Sequence, residues 1–235
     1  MGSSKKIIAI IPARGKSKSI KFKNLLKINN KSLIQICHET LKKNKYIDEI
    51  YCTTENSKIL NHCKKIGLNS IKRPDKFSSD NSNVYYAVSH ALKKLKKLGK
   101  NFDIVLLVQP TSPFFSNKQI KLVLENLLNN EDLKSSQTIH ATPHNYHYLN
   151  TRLIEKKKIL FKFNKMREIR FNKQKKDKTF NFGNLCAVKI DDFYKTKNFF
   201  CKPAGFVKVD RFSSFDIDNK DDIQFLNKIS YLFNK

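Results

Sequence analysis

One stretch near the start of the sequence concentrates positive charge in a single predicted loop. Residues 12–24 read Pro-Ala-Arg-Gly-Lys-Ser-Lys-Ser-Ile-Lys-Phe-Lys-Asn and directly follow the apolar run Ile7–Ile11. Small residues and five cations occur together there, without an acid. Because cations and open backbone amides bind phosphate groups, the loop predicts a triphosphate site, with a plain solvated loop as the alternative. It matches neither the Walker A pattern nor the GxGxxG dinucleotide pattern.

Acidic residues cluster near the other end of the sequence. Asp216-Ile217-Asp218 places two carboxylates on the same side of an extended segment, where both can reach one hard cation. Oxygen-only ligands beside phosphates favour Mg²⁺, so Asp216 and Asp218 are the predicted metal ligands. Asp221 and Asp222 are predicted instead to open the last helix, where negative charge is favourable.

A third loop, residues 109–113, follows the apolar run Ile104–Val108 and reads Gln-Pro-Thr-Ser-Pro. Its two prolines stiffen the backbone, so it can hold Gln109 and two hydroxyl groups toward a ligand. Ligands of parallel sheets bind beyond the carboxyl ends of the strands. The three loops are therefore expected to meet at one edge of a sheet.

The elements that must position these loops follow from hydrophobic patterning. Short β-branched runs alternate with amphipathic helical stretches, and the strand runs are apolar throughout, which is typical of strands buried on both faces. The predicted fold is α/β, a mostly parallel sheet flanked by helices, within one domain spanning residues 1–235. Residues 141–182 are basic, aromatic and turn-rich, and are predicted to be an insertion or an oligomerisation arm.

The overall charge invites a different function. Lys and Arg number 47 against 20 Asp and Glu, giving a net charge of +27, which suits a nucleic-acid-binding module. Only six of the basic residues are Arg, however, whereas base readout and phosphate forks favour Arg. A lysine-rich solvated surface is the preferred interpretation. The acid pair at Asp216 and Asp218 also argues against a nucleic-acid groove.

Cysteine and histidine patterns exclude other classes of site. The five cysteines are scattered and include no CxxC, which disfavours disulfide and zinc-ribbon frameworks and favours a reducing cytoplasm. The apolar run at Ile7–Ile11 is too short for a signal peptide or a membrane span. His140, His144 and His147 lie close together but without a nearby Cys or carboxylate, so zinc is disfavoured, and His147 is an alternative substrate contact.

Taken in order, the motifs resemble those of one enzyme family. They are Ile11-Pro12-Ala13-Arg14-Gly15 through Lys23-Asn24, Lys72-Arg73-Pro74 with Ser79-Asp80, Gln109-Pro110-Thr111-Ser112-Pro113, and Asp216-Ile217-Asp218. This series is similar to that of the CMP-sialic acid synthetases, or acylneuraminate cytidylyltransferases. The resemblance implies a nucleotide-diphospho-sugar transferase fold, usually in a homodimer with exchanged arms. It also implies Mg²⁺-dependent transfer from CTP to an acidic nine-carbon sugar of the sialic, legionaminic or pseudaminic type, with Kdo, an eight-carbon acid sugar, as the alternative.

The resemblance also implies roles for individual residues. The predicted nucleotide ligands are Ala13, Arg14, Gly15, Lys18, Lys23, Asn24, Arg73 and Ser82. The predicted sugar ligands are Gln109, Arg170, Lys173, Phe199 and Phe200, with two core aromatics as the alternative for the Phe pair. Arg14, Lys23 and Asp218 are the predicted catalytic residues, and either Asp218 or a metal-bound hydroxide is expected to take the proton of the sugar hydroxyl.

The sequence departs from the family pattern at several positions. The usual Gly-Gly-Ser-Lys-Gly is Gly-Lys-Ser-Lys-Ser at residues 15–19, which removes two glycines beside the expected phosphates. The usual Ser-Thr-Asp at a strand end is Cys52-Thr53-Thr54-Glu55 here, and the usual Asn-Gly-Ala is Gly183-Asn184-Leu185. The nucleotide half of the site is thus matched more closely than the sugar half.

Overall fold

A seven-stranded sheet forms the centre of the protein in the computed structural model, which describes residues 5–17, 19–79 and 82–229. The strands of this sheet and of two separate two-stranded sheets, β2-β3 and β8-β9, are β1 (Ile7–Pro12), β2 (Lys27–Ile28), β3 (Lys31–Ser32), β4 (Glu49–Thr54), β5 (Asn69–Lys72), β6 (Ile104–Val108), β7 (Ser135–Ala141), β8 (Arg152–Glu155), β9 (Lys158–Phe161), β10 (Phe180–Lys189) and β11 (Ala204–Lys208). The helices are α1 (Leu33–Lys42), α2 (Ser57–Lys65), α3 (Val84–Lys97), α4 (Asn117–Leu128), α5 (Asn164–Ile169), α6 (Ile190–Thr196) and α7 (Lys220–Ile229).

The strand order in the sheet is β11-β7-β10-β6-β1-β4-β5. β10 runs antiparallel to β6 and β7, whereas the other neighbouring strands are parallel. The predicted fold class, a mostly parallel sheet flanked by helices, is confirmed. The carboxyl ends of β1, β4, β5 and β6 consequently lie side by side and create the edge at which the predicted loops meet.

The central strands bury both of their faces, as their unbroken apolar runs predict. Along β1, Ile7, Ala9 and Ile11 pack on the face covered by α1, α2 and α4, whereas Ile8 and Ile10 pack against α3 and α6. Each of these five side chains is at most 2% exposed. Burying one such side chain stabilises the fold by about 1.5–3 kcal/mol, so β1 and β6 are a rigid base for the loops that follow them.

Polar caps start the helices soon after the strand-end loops. The Asn56 side chain accepts hydrogen bonds from the backbone amides of Lys58 and Ile59 at the start of α2. At α4, Ser116 and Gln119 form a reciprocal capping box. These caps satisfy amides that would otherwise lack partners, and they fix where the loop after β4 ends.

The predicted arm falls between β7 and β10. It contains the antiparallel hairpin of β8 and β9 and the short helix α5. Ile154 and Ile159, paired across the hairpin, are 79% and 68% exposed, and Ile169 of α5 is 73% exposed. The arm therefore presents apolar side chains to solvent, in contrast to the buried strands of the central sheet.

Candidate active site

A cleft of about 410 Å³ opens at the carboxyl ends of the parallel strands. Seven predicted site residues line it: Arg14, Lys23, Asn24, Arg73, Ser82, Gln109 and Asp216. They come from five separate parts of the sequence. The structure therefore gathers cations, amides and one carboxylate into a single polar cavity, which is the arrangement required to bind a highly charged phosphate ligand.

The loop after β1 is closed at its base. Asn24 donates a side-chain hydrogen bond to the carbonyl oxygen of Arg14 at 2.9 Å, and the amide of Ala13 bonds to the carbonyl of Thr53 in β4 at 3.0 Å. Ala13 is fully buried, so its predicted nucleotide contact cannot come from its side chain. Lys18, another predicted nucleotide ligand, lies outside the described residues, as does Asp80.

The basic loop and the acidic segment contact each other directly. The Lys23 ammonium donates to the Asp218 side-chain oxygen Oδ1 at 3.1 Å and to its backbone oxygen at 3.3 Å. Ser19 also donates to the Asp218 backbone oxygen, at 2.6 Å. Between the two acids, Ile217 is buried against Ile20 and α7. This apolar anchor holds both segments in place and leaves the acids on the polar side.

Asp216 is the acid that lines the cleft. Its Oδ1 accepts a hydrogen bond from the Ser112 hydroxyl at 2.9 Å, and the amide of Ile217 bonds to the Thr111 carbonyl at 2.8 Å. Burial raises the pKa of Asp216, and the negative charge of Asp218 raises it further, against the hydrogen bonds from Thr111 and Ser112. A divalent cation would relieve this unfavourable burial of negative charge. The two carboxylates thus fit Mg²⁺ by donor type and by electrostatics.

Arg73 follows β5 and is 4% exposed. Its guanidinium bonds to the Thr53 carbonyl at 2.9 Å and forms a 3.1 Å ion pair with Glu55. Burial lowers the pKa of Arg73, although the charge of Glu55 opposes this. Sequence reasoning did not assign Glu55 a role; its only signal was an acidic residue directly after a buried strand, at a position where the family pattern differs.

Gly15 packs too closely against the start of α2 to carry a side chain. A Cβ atom built there would lie 2.4 Å from the Asn56 amide nitrogen and 2.6 Å from its Cβ. Gly15→Ala is therefore expected to displace the loop and weaken the binding of a nucleoside triphosphate in the cleft roughly tenfold, because overpacking typically costs about 1–3 kcal/mol. Isothermal titration calorimetry with nucleoside triphosphates measures this effect.

Asn56→Gly supplies the matched test of that cause. Glycine is tolerated at a helix cap at a cost of about a few tenths of a kcal/mol, and it removes the side-chain atoms that a methyl group added at position 15 would meet. The double variant Gly15→Ala with Asn56→Gly should recover most of the lost affinity for the triphosphate. A double variant as impaired as Gly15→Ala alone would contradict the steric explanation.

A family model described as Cytidylyltransferase matches residues 8–199, which include the loop, the central strands and the arm. The chain belongs to this cytidylyltransferase family. The match confirms the resemblance predicted from the ordered motifs, and it favours an enzyme over a nucleic-acid-binding module.

Relatives of the family extend the likeness beyond the matched region. An N-acylneuraminate cytidylyltransferase of Escherichia coli O18:K1:H7 is 25% identical over 223 residues, 93% of this chain and 51% of that protein. A pseudaminic acid cytidylyltransferase of Campylobacter jejuni serotype O:23/36 is 25% identical over 231 residues, 97% of each chain. A 3-deoxy-manno-octulosonate cytidylyltransferase of Thermodesulfovibrio yellowstonii is 30% identical over 125 residues, 53% of this chain and 49% of that protein. The chain spans about half the length of the first of these relatives, and its match to the third covers about half of each protein.

Solved structures share the fold. A CMP:2-keto-3-deoxy-manno-octonic acid synthetase complexed with CTP superposes with a TM-score of 0.71 at 15% identity, covering 97% of this chain and 98% of that one. At this identity the likeness supports the fold assignment alone. It agrees with the sheet order and the flanking helices described above.

The predicted sugar ligands do not gather as the nucleotide ligands do. Gln109 lines the cleft. Arg170 and Lys173 lie on the arm, where Arg170 pairs with Asp177, and neither lines the cleft. Phe199 is 2% exposed and packs on Phe193 with ring centroids 4.8 Å apart, so within this chain it is a core residue and reaches no cleft.

Phe200 behaves differently from its neighbour. It is 46% exposed and meets Phe182 edge to face. The predicted pair thus divides into a core residue and a surface residue, because successive residues point in different directions. Of the two, Phe200 alone is available to a ligand or a second subunit.

Of the three clustered histidines, His147 has structural partners. His147 is 5% exposed, and its ring nitrogens contact the Asp177 carbonyl at 3.1 Å and the Leu149 amide at 3.3 Å. Those contacts join different parts of the arm and occupy both ring nitrogens of His147, so neither is available for the predicted substrate contact. Within the described ranges, no group of three or more His, Cys, Asp or Glu side chains forms a metal cluster. Likewise, no helix there is long and apolar enough to cross a membrane.

Proposed function

We propose that this protein transfers the cytidylyl group of CTP to an acidic nine-carbon 2-keto sugar, giving the CMP-sugar and pyrophosphate. The observation that carries the proposal is the single cleft that brings Arg14, Lys23 and Asn24 of the basic loop together with Asp216 and Gln109. The family match and the names of the sialic and pseudaminic acid relatives support this chemistry.

In this reaction the anomeric hydroxyl of the sugar attacks the α-phosphorus of CTP. The new oxygen–phosphorus bond replaces the bond to the β-phosphate, and negative charge builds on the leaving pyrophosphate. Arg14 and Lys23 lie where they would bind the triphosphate and stabilise that charge. Asn24, bonded to the Arg14 carbonyl, would hold the loop in its binding shape.

We propose that Asp216 and Asp218 would hold a Mg²⁺ ion. When bound, the cation supplies positive charge that neutralises the phosphate oxygens. Asp218 is 70% exposed at its side chain and already pairs with Lys23. It is our candidate base for the proton of the sugar hydroxyl, because its carboxylate lies beside Lys23, which lines the cleft where the phosphates would bind.

The substrate test is pyrophosphate release from CTP across a panel of sugar acids. Sialic, legionaminic and pseudaminic acids are the expected substrates, and Kdo is the second candidate because a Kdo-type cytidylyltransferase is among the relatives. Release with a nonulosonic acid and not with Kdo supports the proposal. Release with Kdo alone would transfer the assignment to the eight-carbon sugar, and release with none would refute it.

We also propose that the arm forms a homodimer. A two-stranded hairpin is marginally stable by itself, and contiguous exposed apolar groups such as Ile154 and Ile159 mark association surfaces. A second copy covering this face would protect the hairpin and carry the cations Arg170 and Lys173 toward a neighbouring cleft. Those cations and Phe200 are then the proposed ligands of the sugar and its carboxylate.

Ile154→Asp with Ile159→Asp is therefore expected to convert the dimer into a monomer, because two charges cannot be buried in an apolar interface. Light scattering coupled to size-exclusion chromatography measures the mass. Leu98→Asp is the matched control, since Leu98 is 70% exposed at the end of α3 and outside the arm. A monomeric native protein, or a dimer unaffected by both charges, would contradict the assignment.

We propose a cytoplasmic location for the protein. All five cysteines are buried as free thiols, which suits a reducing compartment.

A further inference from the structure

One carboxylate lies between two loops of the cleft. Glu55 follows β4, and its side chain is 8% exposed. Its Oε1 accepts the Gly15 amide at 2.6 Å, and its Oε2 accepts the Ser78 hydroxyl at 2.7 Å and the Arg73 guanidinium at 3.1 Å. The loop after β1 and the loop after β5 are therefore joined through a single side chain.

This carboxylate also fixes the direction of Arg73. The guanidinium has five N–H donors, of which Nε bonds to Ser78 at 2.8 Å, Nη1 to the Thr53 carbonyl and Nη2 to Glu55. Among the described residues these are its hydrogen-bond partners, so two donors remain for a ligand. Because the group is planar and held at three points, these two donors have one fixed orientation at the cleft wall.

The negative charge of Glu55 also acts on the two loops, in addition to its hydrogen bonds. Arg14 lies close enough for its positive charge to lower the pKa of Arg73, in addition to the effect of burial. Burial alone would raise the pKa of Glu55, but hydrogen bonds from Ser78 and Gly15 together with the positive charge of Arg73 contribute to a net lowering of that pKa. The ionised carboxylate therefore compensates the two cations that face the cleft together.

We propose that Glu55 is a positioning residue that sets the affinity of the cleft for the triphosphate of CTP. It does not line the cleft, so it acts through the Gly15 backbone and the Arg73 guanidinium rather than on the ligand. The inference rests on the proposed function for the identity of the nucleotide, although it requires only nucleotide binding and no sugar.

Two simpler roles predict different results. A purely structural Glu55 would lower the melting temperature when replaced and leave the affinity of the folded protein for CTP unchanged. If Glu55 acted only through its charge, it would weaken CTP binding in the native protein, because its negative charge opposes the triphosphate. Its removal would then tighten CTP binding. A positioning role predicts weaker binding despite the more positive cleft.

The experiment measures CTP binding by isothermal titration calorimetry with Mg²⁺ and without sugar, on protein shown by circular dichroism to be folded. Glu55→Gln should raise the Kd for CTP roughly 10- to 100-fold, the range for losing a hydrogen bond to a charged group. Ser78 lines the cleft as well as bridging Arg73 and Glu55, and Ser78→Ala, which removes this hydroxyl and no charge, should raise the Kd roughly 3- to 10-fold. Glu55→Asp should fall between Glu55→Gln and the native protein.

Glu49→Gln is the matched control. Glu49 begins β4, the strand that Glu55 follows, but it pairs with Lys100 at 2.7 Å away from the cleft, so the same loss of charge should leave the Kd within about twofold. In turnover assays the KM for CTP should follow the Kd while kcat changes little, because the loops bind ground state and transition state alike.

Unchanged or tighter CTP binding in folded Glu55→Gln overturns the proposal. If that variant fails to fold, Ser78→Ala decides, and unchanged affinity in Ser78→Ala has the same meaning. If the native protein binds CTP but transfers its cytidylyl group to no sugar acid, the proposed function is refuted and the inference about Glu55 stands. Native protein that binds no CTP would overturn both.

Discussion

Asp216→Asn is expected to reduce turnover at saturating CTP by roughly 1,000-fold, about 4 kcal/mol of transition-state stabilisation, because it removes a carboxylate that would hold the metal. Asparagine has nearly the same shape and keeps an oxygen for the Ser112 hydroxyl. The loss should therefore come from charge and not from unfolding. Pyrophosphate release with increasing Mg²⁺ measures it.

The thermal stability of Asp216→Asn is a second measurement, and the direction of its change follows from the pKa of Asp216. Burial raises the pKa of Asp216, so in metal-free protein the folded state disfavours the ionised carboxyl once the pH exceeds its ordinary value. Replacing the charge should leave the melting temperature unchanged or raise it at neutral pH. Mg²⁺ should raise the melting temperature of the native protein and not that of Asp216→Asn.

Asp221→Asn is the matched control for this experiment. Asp221 is an exposed acid in the first turn of α7, a short distance along the chain, and its loss should cost about 0.3–1 kcal/mol of helix stability without affecting turnover. Turnover within tenfold of the native rate in Asp216→Asn, or an equal loss in Asp221→Asn, would remove Asp216 from the metal site.

The sequence was sufficient to predict the central sheet because burial on both faces requires unbroken apolar runs. β1 and β6 are such runs, and every residue of β6 is buried. The strand β5 was not predicted, since Ile71 is its only buried residue and Asn69–Lys72 otherwise reads as polar. Local hydrophobicity identifies strands that lie in the middle of a sheet more clearly than a strand at its edge.

Strand direction and the arm required information that local patterns do not carry. β10 contains a buried apolar run, as the central parallel strands do, but its antiparallel pairing with β6 and β7 depends on how the arm returns the chain to the sheet. The hairpin of β8 and β9 buries none of its side chains, so burial within this chain does not explain its apolar residues. These apolar residues either contact a surface outside the single chain or remain exposed to solvent.

The site was predictable where a residue acts through its own chemistry. Cations, carboxylates and the stiff loop at Gln109 were assigned from residue type, and the structure brings Arg14, Lys23, Asp216 and Gln109 to one cleft. Glu55 was missed because its partners, Gly15 and Arg73, are 40 and 18 residues away along the chain. A residue whose role is to hold others has no signature until the loops are folded together.

Lys23→Met is expected to lower kcat roughly 100-fold, about 2.7 kcal/mol, because Lys23 would face the leaving pyrophosphate, where negative charge grows during the reaction. Methionine keeps the apolar stem, and the lost pair with Asp218 costs little stability since Asp218 is 70% exposed. Lys21→Met, an exposed cation on the same loop, is the control and should leave kcat near the native value. If Lys23 stabilises the transition state, kcat falls more than the KM for CTP rises. Equal losses in both variants, or a change in KM alone, would indicate that the loop contributes only general positive charge.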